Sequence, residues 1–190
     1  NSGMAVSNPT HTTTISDMLG AIDADFVGRS VPEATQMLPA LYGMDLCPTA
    51  KIVRIQALYG ENGSHFVQTM LNLAKSYSEI DVVTDQLTSP SYTQHIARAL
   101  LELLEHSETG IFHLHNQGVC SWDEFAKEIF KLAKTQTKVL PVTSEHFPRP
   151  APRPLNSNLS MIRWQELGLS PLPHWTQALE EYLSNPKLDH

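Results

Sequence analysis

Two arginines, Arg149 and Arg153, stand in the run Phe147-Pro-Arg-Pro-Ala-Pro-Arg-Pro154. Proline fixes its own φ and drives the residue before it to extended backbone. The run is therefore an extended strap that holds two guanidinium groups at set positions. A guanidinium fork pairs with phosphate oxygens through parallel hydrogen bonds, which suits a diphosphate ligand. A domain-closing strap with solvent-facing arginines fits the same residues, and the residues alone leave both readings open. A second polar group of interest is Gln86 with Ser89 and Pro90, in the loop Asp85-Gln-Leu-Thr-Ser-Pro90. That loop follows an apolar run that reads as a strand, and open α/β sheets bind ligands at such strand ends.

Other chemistries find less support. The nine glycines form neither G-x-G-x-x-G nor a P-loop, so no self-contained dinucleotide cradle is legible. Gly60-Glu-Asn-Gly63 reads as a plain loop in which glycine relieves backbone strain. His113 and His115 lie two apart on a predicted strand and share a face, but no third ligand stands at matched spacing for a metal. Cys120 precedes a helix start and reads as a buried, inert thiol. With Cys47 as its only companion, it cannot build a disulfide framework.

The elements that position these groups begin at Lys51. Lys51–Leu58 is a predicted strand that ends in the Gly60–Gly63 loop. Ser64 is the expected cap of a helix carrying Phe66, Val67, Met70 and Leu71 on one face. Ile80–Thr84 is a second strand. A helix over Tyr92–His106 is expected to bury Ile96, Ala99, Leu100, Leu103 and Leu104, and Gly110 stops it. Ile111–His115 is a third strand. Ser121-Trp-Asp-Glu124 matches a capping box and opens a helix with Phe125, Ala126, Ile129 and Phe130 inward. Lys138–Val142 is a fourth strand, and short helices near Ser160–Leu167 and His174–Leu183 close the chain. Trp122, Trp164 and Trp175 read as core. Strands alternating with helices give an α/β class.

Residues 1–14 are small and polar and read as a flexible arm, and residues 15–51 as a separate N-terminal segment. The chain has 190 residues, with 13 Lys and Arg against 20 Asp and Glu. That acidic balance argues against non-specific nucleic-acid binding. No apolar run has the length of a membrane helix and no signal-peptide pattern opens the chain, so a cytoplasmic setting is expected.

From about residue 52 to residue 183 the chain resembles the C-terminal part of the dTDP-4-dehydrorhamnose reductases, which are extended short-chain dehydrogenases. The stretches that carry the resemblance are Leu58-Tyr-Gly-Glu-Asn-Gly63, Phe66-Val-Gln-Thr-Met-Leu71, Asp85-Gln-Leu-Thr-Ser-Pro90 and Ser121-Trp-Asp-Glu-Phe-Ala-Lys-Glu-Ile-Phe130. The Pro/Arg strap, Asn156-Ser-Asn-Leu159 and Leu167-Gly-Leu-Ser-Pro-Leu-Pro173 follow in the same order. The resemblance implies a partial NAD(P)-binding Rossmann-like fold, mainly its substrate-binding part, over residues 52–190. It implies NADPH-dependent reduction of a dTDP-4-keto sugar in rhamnose and cell-surface polysaccharide biosynthesis. Gln86, Ser89, Pro90 and Arg153 are then expected to face the dTDP-sugar.

Departures from the family pattern bear on activity. The glycine fingerprint of the cofactor-binding half is absent, so this chain is expected to be a truncated or diverged member that is inactive alone. Tyr42 stands where the catalytic Tyr of Tyr-x-x-x-Lys would begin, but Leu46 occupies the Lys position. Ala24 stands for a helpful Thr, Ile55-Gln56-Ala57 replace Thr-Ser-Trp, and His95 replaces an Asp. The alternative expectation is a non-catalytic sugar-nucleotide-binding or regulatory subunit that acts through a protein partner or as a homo-oligomer.

Overall fold

The computed structural model describes residues 47, 49–61, 63–148 and 153–185. Tyr42, Ala24, Arg149, the 1–14 arm and most of the 15–51 segment lie outside the described residues.

Fourteen consecutive elements can be followed from Lys51. Strand β1 (Lys51–Arg54) and β2 (Leu58–Tyr59) lead to α1 (Phe66–Ala74). Then come β3 (Glu79–Val83), β4 (Leu87–Thr88), β5 (Ser91–Tyr92) and α2 (Thr93–Leu104). Strands β6 (Gly110–His113) and β7 (Cys120–Ser121) precede α3 (Trp122–Leu132) and β8 (Lys138–Val142). A 3-10 turn (Ser144–His146), α4 (Ile162–Glu166) and α5 (Trp175–Leu183) follow. The strands pair in parallel as β1–β6, β2–β5 and β3–β8, and antiparallel as β4–β7. The fold is α/β, as its sequence pattern implies.

The expected single strand over Lys51–Leu58 is broken. Ala57 adopts φ +44, so the chain bends between β1 and β2. The bend is tied down by the Ser91 amide, which donates to the Ala57 carbonyl at 3.0 Å. An alanine in the left-handed region costs about 1–2 kcal/mol, which that pairing helps offset.

Two apolar clusters form the core. One gathers Val67, Met70 and Leu71 of α1, Phe125, Ala126, Ile129 and Phe130 of α3, and Trp175, Ala178, Leu179 and Tyr182 of α5. The other packs Ile96, Ala99, Leu100 and Leu103 of α2 against Phe112, Leu114 and Trp164. Leu104, expected inside, is 47% exposed. It lies at the edge of the α2 stripe in the last turn, about 80° around from Ile96, where no element among the described residues covers it. Trp164 and Trp175 are buried, while Trp122 is half-buried and packs on Phe66 at the rim.

Helix ends explain the remaining boundaries. The α1 cap is His65, not Ser64: its Nδ1 accepts from the Gln68 amide at 3.3 Å. Ser121 and Glu124 form the expected capping box on α3, with the Ser121 amide donating to Glu124 at 2.8 Å. Lys51 Nζ donates to the carbonyls of Leu103 and His106, placing a cation at the C-terminal end of α2.

Candidate functional site

The loop after β3 and the chain after the strap come together at β4. The Leu87 amide donates to the Leu155 carbonyl at 2.8 Å, and the Ser157 amide returns a bond to the Leu87 carbonyl at 3.0 Å. Leu87 and Asn156 thus pair in parallel. Strand β4 lies between β7 on one side and residues 155–157 on the other. Residues 155–157, at the tail of the strap, are registered to the polar loop by these backbone bonds, and Arg153, two residues earlier in the chain, is exposed.

The expected ligand-facing residues divide by environment. Ser89 is fully buried, and its Oγ lies 2.7 Å from the Gly118 carbonyl and 2.8 Å from Asn158 Oδ1. Its hydroxyl therefore clamps three chain segments. Pro90 is buried beside it. Gln86 is 7% exposed, and no hydrogen bond holds its amide among the described residues. Its amide atoms are not sealed from solvent, so the group stays open to a partner from outside. Asp85 at the head of the loop accepts from the Ser144 amide and hydroxyl, which hold its carboxyl below the usual carboxylate range.

Several supporting residues were not singled out from sequence. Gly118 has φ +87, and a Cβ there would lie 2.2 Å from His174 Nε2, so only glycine lets its carbonyl reach Ser89. Asn158 bridges Ser89 to the Gln56 amide, which donates to it at 3.4 Å. Asn116, fully buried, joins the two core clusters: its Oδ1 accepts from the Tyr92 amide and its Nδ2 donates to the Pro173 carbonyl. An asparagine or glycine between apolar runs was the available signal, and it is a weak one without the fold.

The rejected chemistries can be placed. Cys120 is buried, and burial first, with Glu124 and Asp123 next, pushes its thiol up to about 12. The His113 and His115 rings are turned to backbone carbonyls, His113 to Ser160 and His115 to Asn116 and Leu159. Among the described residues no three His, Cys, Asp or Glu side chains gather to hold a metal. No described helix is long and apolar enough to cross a membrane. A separate groove of about 490 Å³ lies over β1 and β6, lined by Arg54, His113 and Arg163.

Comparisons with known proteins identify the family. The model of the RmlD substrate binding domain matches residues 42–187. This chain belongs to the RmlD substrate-binding domain family. The spore coat polysaccharide biosynthesis protein SpsK of Bacillus subtilis is 45% identical over 132 residues, covering 70% of this chain and 46% of that protein. The dTDP-4-dehydrorhamnose reductase of Mycobacterium tuberculosis is 41% identical over 142 residues, covering 73% of this chain and 47% of its own length. A crystal structure of dTDP-4-dehydrorhamnose reductase from Bacillus anthracis, in complex with NADP, superposes with a TM-score of 0.74 at 37% identity. It covers 79% of this chain and 53% of that one. The chain spans about half the length of the curated relatives it matches. As an RmlD substrate-binding domain, it has an α/β fold of the extended short-chain dehydrogenase kind, and its sequence kinship is with sugar-nucleotide reductases.

Proposed function

We propose that this RmlD substrate-binding domain holds a dTDP-linked deoxysugar along the edge of β4. It serves the NADPH-dependent reduction of a dTDP-4-dehydro-L-rhamnose type substrate in rhamnose and surface-polysaccharide biosynthesis. The observation that supports this reading is the backbone registry of residues 155–157 on Leu87, which ties the chain just after Arg153 to the loop that carries Gln86. The Arg153 guanidinium takes the diphosphate, Gln86 takes a neutral polar part of the ligand, and Ser89 with Pro90 keeps the loop in place. Residues 52–190 form the sugar-nucleotide unit, and the work is done in the cytoplasm. NADPH, when bound to the reductase, supplies hydride. Its binding falls outside these residues, so the chain by itself does not reduce keto-sugar. Tyr42 enters this proposal only as proton donor, with Leu46 at its fourth following position.

A second reading is a non-catalytic sugar-nucleotide-binding or regulatory subunit acting through a protein partner. The open groove over β1 and β6 favours it, because that face carries Arg54, Ile162 and Arg163 without a covering element among the described residues.

A thermal melt with and without dTDP-rhamnose tests the shared claim. At a hundredfold excess over Kd the ligand adds about 2.7 kcal/mol of stability, which raises the midpoint by several degrees. A cooperative melt with no shift rejects sugar-nucleotide binding. NADPH oxidation that depends on the keto-sugar rejects inactivity of the chain alone.

A further inference from the structure

We propose that Gln56 reads a sugar hydroxyl and so determines which sugar the site accepts, an inference that rests on the dTDP-sugar reading above. Gln56 follows β1 at the strand's C-terminal end, the edge where α/β sheets bring reacting groups. Its Oε1 is buried and has no hydrogen-bond partner. Its Nε2 makes one long contact, 3.4 Å to Asn158 Oδ1. Asn158 is itself held at 2.8 Å by Ser89, inside the loop that forms the candidate site. The next residue, Ala57, sits at φ +44. An orphaned buried carbonyl beside a strained alanine is a costly pair, and such pairs persist where a function uses them.

The chemistry of the occupant follows from the amide. A diphosphate offers only acceptors, so it cannot satisfy a carbonyl oxygen. A hydroxyl both donates and accepts, and it satisfies the Gln56 amide in either orientation. A deoxyhexose ring carries several hydroxyls. The terminal torsion of glutamine is broad, so the amide swings off its long Asn158 contact at little cost and brings Oε1 to the ligand.

The test uses the full chain and two ligands, dTDP and dTDP-L-rhamnose, measured by titration calorimetry. Gln56→Met keeps length and removes the amide; Gln56→Leu is the second variant. Both are expected to bind dTDP as the wild type does and dTDP-L-rhamnose at least fivefold more weakly. Both are also expected to melt at the same or a higher temperature, because the orphaned carbonyl is gone. A purely structural glutamine would instead lower the midpoint. Unchanged binding of dTDP-L-rhamnose, equal weakening for both ligands, or a lowered midpoint in both variants overturns the inference while the dTDP-sugar reading stands. If the wild type binds neither ligand, that reading fails and the inference falls with it.

Discussion

Asn116 donates from Nδ2 to His95 Nδ1 at 3.0 Å, deep between the two core clusters. The orientation of this amide is fixed from outside the pair, because its Oδ1 accepts from the Tyr92 amide and its Nδ2 also donates to the Pro173 carbonyl. His95 Nδ1 is therefore the acceptor, and its Nε2–H donates to Glu181 Oε2 at 2.8 Å. One asparagine thus ties the start of α2, the chain before α5 and, through His95, α5 itself. Replacing it with Ala strands a buried N–H, a buried carbonyl and a ring nitrogen. Asn116→Ala is expected to cost about 2–4 kcal/mol, read from the urea midpoint at constant m. A loss below about 1 kcal/mol would show that the seam does not depend on this amide.

Gly118→Ala places a Cβ 2.2 Å from His174 Nε2 at a residue with φ +87. Strain and clash together are expected to remove about 2–4 kcal/mol. The variant should also weaken dTDP-rhamnose binding, since the Gly118 carbonyl is what holds Ser89. Calorimetry alongside denaturation checks both effects, and binding at wild-type strength would separate the clamp from the site.

Stability should fall with acid through His65. Burial, opposed by a hydrogen bond to the Gly60 backbone, lowers the His65 pKa below its ordinary value. The unfolded chain therefore binds the proton more readily than the folded one. The contribution is fully present above the unfolded value, about 6.5. It is lost as pH drops from there through the lowered folded value. Protonation also removes the lone pair that caps α1 at Gln68. Urea titrations between about pH 5 and pH 8 should show a positive slope that flattens in His65→Asn, a substitute cap that does not titrate. An unchanged slope in that variant would assign the acid loss elsewhere.

Arg153→Ala is expected to weaken dTDP-rhamnose binding tenfold or more, read by titration calorimetry. Arg153→Lys should recover only part of the affinity, because a point charge replaces a bidentate fork. Equal affinities for wild type and Arg153→Ala would return the strap to a closing role.

Ser121→Ala removes the α3 cap and the 2.6 Å bond from the Ser121 hydroxyl to buried Asp123. A loss of about 1–2 kcal/mol is expected in urea denaturation. Burial works against ionisation of Asp123, but Lys127, Ser121 and Thr84 outweigh it and keep its carboxyl below the usual range. Losing one of those partners moves the folded value up toward the unfolded one, so the variant, less stable at neutral pH, should lose less further stability than the wild type as pH falls from about 5 to 3.

The α3 capping box, the β8 strand and the α/β class were legible in the sequence because each rests on local spacing: Ser121 with Glu124, apolar residues three and four apart, and strands alternating with helices. The family was legible because its motifs keep their order along the chain. Other features needed contacts between distant residues. Ala57 looks like any strand alanine until Ser91, 34 positions later, takes its carbonyl and bends the chain. Leu104 fits the α2 periodicity, but whether a stripe-edge leucine is covered depends on which neighbour lies above it. Gln86 and Ser89 look alike as polar loop residues. Only the packed structure separates them: the Ser89 hydroxyl meets Gly118 and Asn158, while the Gln86 amide makes no hydrogen bond among the described residues. Sequence determines which groups a segment offers and what local geometry it prefers. The pairing of those groups across 29 or 69 residues of chain is set by the tertiary fold, because a hydrogen bond forms only where distance and direction are both satisfied.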